Sequence, residues 1–299
     1  MKFTLLVLTG MTLFSCSRTS LDSSPDQAAL GATGGSTGSG GSGGGVANAG
    51  ALGKCGDHSS TQNLLTTDYG GGFVTVDGAT KQYFMQANWW GLFSQQTEVV
   101  NGLSFTVANP AGAASSNNNP MGYPSLFMGS YAGHATVGSN LPKQVSTLTN
   151  VYTHLSTNAS SKGYSNYNVA YDVWLTASGA PLPANQYSPG TGGAFLMVWF
   201  FKPTDRQPRG SNSHPGQKIP GLPGTWDVWV DSSNPPCISY VSTSPVDDLE
   251  FDLNNFIQDS VTNGYGITSS MYLSIVFGGF EIWGGADGIQ AKAFCADVL

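Results

Sequence analysis

Residues 271–285 read MYLSIVFGGFEIWGG. The stretch opens on strand formers, Tyr272-Leu273-Ser274-Ile275-Val276-Phe277, and breaks at Gly278-Gly279. It then sets Glu281 between Phe280 and Ile282, with Trp283 two residues on. Side chains alternate across a strand, so Glu281 and Trp283 share one face while Phe280 and Ile282 share the other. An acid beside an aromatic ring is the pairing a sugar cleft uses: the ring stacks on a pyranose and the acid protonates a glycosidic oxygen. An edge strand with one solvated glutamate would show the same local pattern, so the surrounding sequence has to decide.

Outward from that stretch, short strand patterns bounded by turn residues dominate. Residues 168–175, NVAYDVWL, put Val169, Tyr171, Val173 and Leu175 on one face and Ala170, Asp172 and Trp174 on the other. Residues 195–201, FLMVWFF, are apolar throughout, as a strand buried on both faces requires. Further strand patterns fall at 72–76, 83–87, 97–100, 103–107, 122–128, 226–230 and 238–241. Helical spacing occurs in one segment. Leu253, Phe256, Ile257 and Val261 form a stripe, with Asp252 as N-cap and Asn263-Gly264 as the stop. The pattern predicts an all-β sandwich or jelly roll carrying one short helix at about 252–263.

Lys plus Arg total 11 against 18 Asp plus Glu, a formal net charge of −7. That balance lacks the basic footprint that nucleic acid demands and suits a neutral polar ligand. His58, His134, His154 and His214 are scattered, and no CxxC or HExxH pattern is present, so neither a metal nor a cofactor is expected.

The N-terminus reads as a targeting segment. Lys2 precedes an apolar run from Phe3 to Phe14, and Leu13-Phe14-Ser15-Cys16 resembles a bacterial lipobox. Residues 1–16 are thus a signal peptide whose Cys16 takes a lipid, the sole membrane attachment. Residues 17–54 form a Gly/Ser-rich linker, and 55–299 form one domain. The expectation is an exported monomer, either a cell-envelope lipoprotein or, if Cys16 is incidental, a secreted protein. Cys55, Cys237 and Cys295 then allow at most one disulfide and a free thiol, with the pairing open.

Several motifs in order carry a family resemblance over roughly residues 84–298. They are Asn88-Trp89-Trp90-Gly91, Gly122-Tyr123-Pro124-Ser125-Leu126-Phe127, Asn168 to Trp174, Gly192 to Trp199, Gly224 to Trp229, the helix with Gly264-Tyr265, and Gly279-Phe280-Glu281-Ile282-Trp283. Together they resemble glycoside hydrolase family 12, small endo-β-1,4-glucanases and xyloglucanases. The resemblance implies a jelly roll of two curved antiparallel sheets with β-glucan along the concave face. It also implies retaining hydrolysis by two carboxyl groups roughly 5–5.5 Å apart.

Glu281 sits at the family's acid/base position. The nucleophile, carried in the family as Glu in E-L-M-I-W, is replaced here, because the strand reads Phe195-Leu196-Met197-Val198-Trp199. Asp172 matches the aspartate that supports the nucleophile. The family's G-C-H run after Phe127 is also missing, where Gly129-Ser130-Tyr131 stands instead. A phenyl ring cannot attack an anomeric carbon. The expectation is therefore a β-glucan-directed protein without retaining hydrolysis. The alternative is an active endoglucanase pairing Glu281 with another carboxylate, Asp172 or Asp227, in an inverting scheme that tolerates about 6.5–9.5 Å. Trp89, Trp199, Trp283 and Met197 are the expected glucan contacts, with Trp90 and Trp174 as further platforms. Core packing competes as the reading for each tryptophan.

Overall fold

A computed structural model describes residues 55, 58, 60, 63–67, 70–89, 97–108 and 119–299, with the backbone alone for 17–18, 63–67 and 97–99. The segment read as a signal peptide, the segment read as a linker beyond those two residues, and Trp90 lie outside the described residues.

Among the described residues, fifteen strands longer than two residues form two sheets. They are β1 (Asn63–Thr67), β2 (Gly71–Val76), β3 (Lys81–Gln86), β4 (Thr97–Asn101), β5 (Ser104–Ala108), β6 (Ser125–Tyr131), β7 (Val151–Thr157) and β8 (Ala170–Thr176). After these come β9 (Ala194–Trp199), β10 (Ser211–Gln217), β11 (Trp226–Asp231), β12 (Cys237–Ser242), β13 (Asp248–Asp252), β14 (Tyr272–Gly279) and β15 (Gln290–Val298). The smaller sheet runs β13-β7-β15-β5-β4-β1, and the larger runs β10-β11-β12-β9-β8-β14-β6-β3-β2. This is the expected two-sheet, mostly β architecture.

Alternation builds the core between the sheets. Val173 of β8 lies opposite Leu196 of β9 and Val276 of β14, forming one buried layer across three strands. Tyr171 and Phe294 close on that layer from the two sheets, ring centroids 6.2 Å apart. The other face of β8 and β9 carries Asp172, Trp174, Phe195, Met197 and Trp199. These belong to a second, separate side-chain layer on the far side of the larger sheet.

Four expectations are corrected. First, one strand pair is parallel: Phe195 of β9 lies opposite Cys237 of β12, and Trp199 opposite Val241. The β10–β11 hairpin intervenes in sequence, so β12 returns in the direction of β9. Second, the helix is α2, Asn254–Asn263, and Leu253 rather than Asp252 is its N-cap residue. The Asp252 carboxylate still accepts from the Asn254 amide at 3.0 Å and from the Val151 amide at 2.8 Å, tying the helix start to β7. Phe256 packs 4.9 Å from Trp226 and 4.6 Å from Tyr240, as the stripe requires. A second helix, α1 (Ala159–Lys162), is a single turn with no apolar stripe to announce it.

Third, Gly278-Gly279 does not break β14. A Cβ on Gly278 would come within 2.4 Å of the Phe294 ring, and one on Gly279 within 2.1 Å of the Pro124 carbonyl. The glycines therefore serve close approach of neighbours rather than a turn. We expect Gly278→Ala to cost about 1–3 kcal/mol by overpacking Phe294. An unchanged urea midpoint would contradict that contact. Fourth, Cys55 bonds Cys295, α-carbons 6.1 Å apart, and no cysteine among the described residues is free.

Candidate functional site

The site lies on the larger sheet's second face, where β8, β9 and β14 are neighbours. Beyond Gly279 the chain continues alongside residues 166–168 and 121–122 through single bridges. Ile282 pairs with Gly122 and with Tyr167, and the Trp283 amide donates to the Asn166 carbonyl at 2.7 Å. This keeps Glu281 and Trp283 in strand alternation, both buried.

Glu281 is 2 % exposed and is held by Asn168. The Asn168 side-chain amide donates to Glu281 Oε2 at 2.6 Å, and Asn168 Oδ1 accepts from the Glu281 backbone amide at 3.1 Å. The Asn168 backbone amide donates to the Glu281 carbonyl at 2.9 Å. Three bonds from one residue fix the acid's direction. Sequence reasoning missed Asn168, because its partner is 113 residues away. A polar residue at the head of an otherwise alternating strand was the available signal.

Asp172 stands opposite Met197 on β9 and Phe277 on β14. Its Oδ1 is shielded from solvent and has no hydrogen-bond partner among the described residues. Burial pushes its carboxyl up to about 7, and the Glu281 charge adds to the rise. The Trp174 indole, close but not aligned for a hydrogen bond, and the Val173 amide work against it. The two acids therefore feel each other across one surface. Phe277 lies opposite Asp172 and Glu281 is four residues further along that chain, so strand rise puts Glu281 and Asp172 up to about 13 Å apart along the strand direction, before the side chains reach inward.

Phe195 points to the same face. It is 1 % exposed and packs edge-to-face on Trp174, centroids 5.6 Å apart. Its row holds no carboxylate: Trp174 lies opposite on one side and Cys237 on the other. Tyr123 is the nearby hydroxyl, donating to the Ala170 carbonyl at 2.9 Å. Burial and then the Asp172 and Glu281 charges push its phenol well above the ordinary value, so it stays neutral and is a poor substitute nucleophile.

The remaining candidates separate. Trp199 and Trp283 meet at 6.4 Å, and Met197 lies between the Phe195 and Trp199 rows, so these three share the face of Glu281. Trp89 does not join them; it packs in the core between the sheets, its ring against Gly122. Trp174 is locked edge-on between Tyr131 and Phe195. Asp227 sits on β11, four strands from β14, a lateral distance of about 19 Å. Its Oδ1 accepts from the Gly216 amide at 2.8 Å in the edge hairpin. It is not brought together with Glu281.

Comparison with known proteins converges on one family. The family model described as "Glycosyl hydrolase family 12" matches residues 81–299. Probable cellulase Cel12b of Mycobacterium tuberculosis is 29% identical over 164 residues, covering 54% of this chain and 99% of that protein. Endoglucanase S of Pectobacterium parmentieri is 28% identical over 192 residues, 62% of this chain and 68% of that protein. Among solved structures, endoglucanase cel12A from Rhodothermus marinus superposes with a TM-score of 0.66 at 28% identity, covering 79% of this chain and 99% of that one.

Proposed function

The chain belongs to glycosyl hydrolase family 12, and from that premise we propose that it binds β-1,4-glucan on a glucanase scaffold without retaining hydrolysis. The observation that carries this reading is Phe195. It stands at the start of Phe195-Leu196-Met197-Val198-Trp199, buried, on the face of Glu281 and Asp172. Retention needs a carboxylate there to form the glycosyl-enzyme bond, and Glu281 can supply only the proton. Trp199, Trp283 and Met197, all buried on the face of Glu281, form the apolar layer beneath it. The leader and the Gly/Ser linker support export and attachment to the cell envelope through Cys16.

Asp172 favours a second reading. A carboxyl near pKa 7 with an uncommitted oxygen is suited to take a proton from water while Glu281 protonates the leaving oxygen. An inverting scheme needs about 6.5–9.5 Å between the carboxyl groups, so this reading requires both side chains to lean toward each other across the backbone separation above.

Soluble β-1,4- and mixed-linkage glucans separate the two readings. The first expects retardation of the chain in glucan-containing gels with no new reducing ends. Release of sugars by the wild type, lost in Glu281→Gln, would replace it with the second, and inverted product stereochemistry would assign Asp172.

A further inference from the structure

Next to Trp283, the loop between β9 and β10 places a cation that the glucan reading does not use. The Arg206 guanidinium lies over the Trp283 ring, its Cζ 5.6 Å from the centroid, and the side chain is 12% exposed. Its bonds to Asp205, to the carbonyl and to the carboxylate, both at 3.1 Å, run through Nη1. The Nε–H is buried and has no hydrogen-bond partner among the described residues. Asp205 is 59% exposed, so solvent screens most of what it contributes.

The neighbouring cations are committed. Arg209 is bonded to Asp231 and Ser233, and the Lys202 amine points to the Pro203 and Arg206 carbonyls. Trp199 also meets Trp283, ring centroids 6.4 Å apart, and its indole N–H is buried without a hydrogen-bond partner among the described residues. Two unspent donors, one of them charged, thus belong to residues in contact with Trp283.

Resting on the glucan reading, we propose that this end of the cleft is a subsite for a carboxylated sugar, a uronic acid unit or an acidic substituent on a β-1,4-linked chain. A guanidinium whose Nη1 side is occupied presents its Nε–Nη2 edge. That edge carries two parallel N–H groups, and a carboxylate matches them with two oxygens. A sugar hydroxyl satisfies one donor and leaves the charge uncompensated. Trp283, with the guanidinium over its ring, fixes where that edge points, and Trp199 N–H would bond a ring or hydroxyl oxygen of the same sugar.

The test is affinity of the full chain for cello-oligosaccharides against the same oligosaccharides partly oxidised to carboxylate at C6. At net charge −7 the chain repels a polyanion at long range, so a preference for one has to come from a local cation. The expected result is binding of the oxidised chain about ten-fold tighter, a preference eroded by salt. Arg206→Met, which keeps apolar contact with Trp283, is expected to bring the ratio of the two affinities close to one, and Arg206→Lys to recover part of it. Equal affinities in the wild type would overturn the subsite and leave the glucan reading standing. A preference that survives in folded Arg206→Met would overturn it too. Binding of neither oligosaccharide would remove the glucan reading and the subsite together.

Discussion

Phe195→Glu is expected to turn the protein into a measurable endoglucanase, with a rate several orders of magnitude above the wild type. Loss of a nucleophile costs up to roughly a million-fold in well-studied hydrolases, and restoring it recovers whatever the remaining site still supports. Three features support recovery here. Glu281 is already oriented by Asn168. Asp172 lies two register positions along on the adjacent strand, on the same face, with an oxygen that lacks a partner among the described residues and is available to the new carboxyl. Phe195 is larger than glutamate, so the exchange needs no expansion of the row. The cost is stability: a buried ring is lost and an acid replaces it beside Trp174, about 2–4 kcal/mol. The assay therefore belongs well below the melting temperature. Reducing ends from soluble β-glucan, abolished by adding Glu281→Gln, would meet the expectation. A folded Phe195→Glu protein that binds glucan and releases nothing would mean that the cleft has diverged at more than this position.

The second large effect concerns pH. Asp172 has a folded-state pKa of about 7, raised from an ordinary value of 3.8 chiefly by burial. For an acid raised in the folded state, the native protein holds the proton more tightly than the unfolded chain does. The stability this contributes is complete below pH 4 and is lost as pH climbs through 7. Asp172→Asn keeps the shape and removes the titration. We expect the variant and the wild type to be matched at pH 4 and the variant to be more stable at pH 8. With the side chain only partly sheltered, the gain is of the order of 2 kcal/mol. Urea unfolding at the two pH values reads the difference directly. A constant offset at both would show that Asp172 does not titrate in this window.

The fold was readable where alternation was strong and apolar. Residues 168–175 and 195–199 became adjacent strands with the faces their patterns assign. The helix stripe at Leu253, Phe256 and Ile257 packed as drawn, with Gly264 left-handed at its end. Five strands, β1, β7, β10, β13 and β15, were not read, and the last four were invisible for definable reasons. In β7 the inward positions include Thr153 and Thr157, fully buried but polar, so the alternation carries little hydropathy contrast. In β15, alanines fill much of the core face. β13 is acidic at alternate positions, and β10 is exposed along its whole length and is held by pairing with β11. At the site, the residue types were legible and their supports were not. Glu281, Trp283 and the substitution at Phe195 stand out in sequence. Asn168 and Arg206 act through contacts that only the sheet register and a loop bring about.

The Cys55–Cys295 bond has a mechanical meaning. Cys55 precedes β1, and Cys295 sits in β15, an interior strand of the smaller sheet, paired with β7 along its length and with β5 at Gln290 and Ala291. Without the bond, tension arriving from the N-terminal side would reach the edge strand β1 first and peel the sheet open one strand at a time. With it, the load passes through sulfur into the middle of the sheet, where two neighbours must shear together. The first strand is left slack while the face of Glu281 on the opposite sheet carries none of the strain.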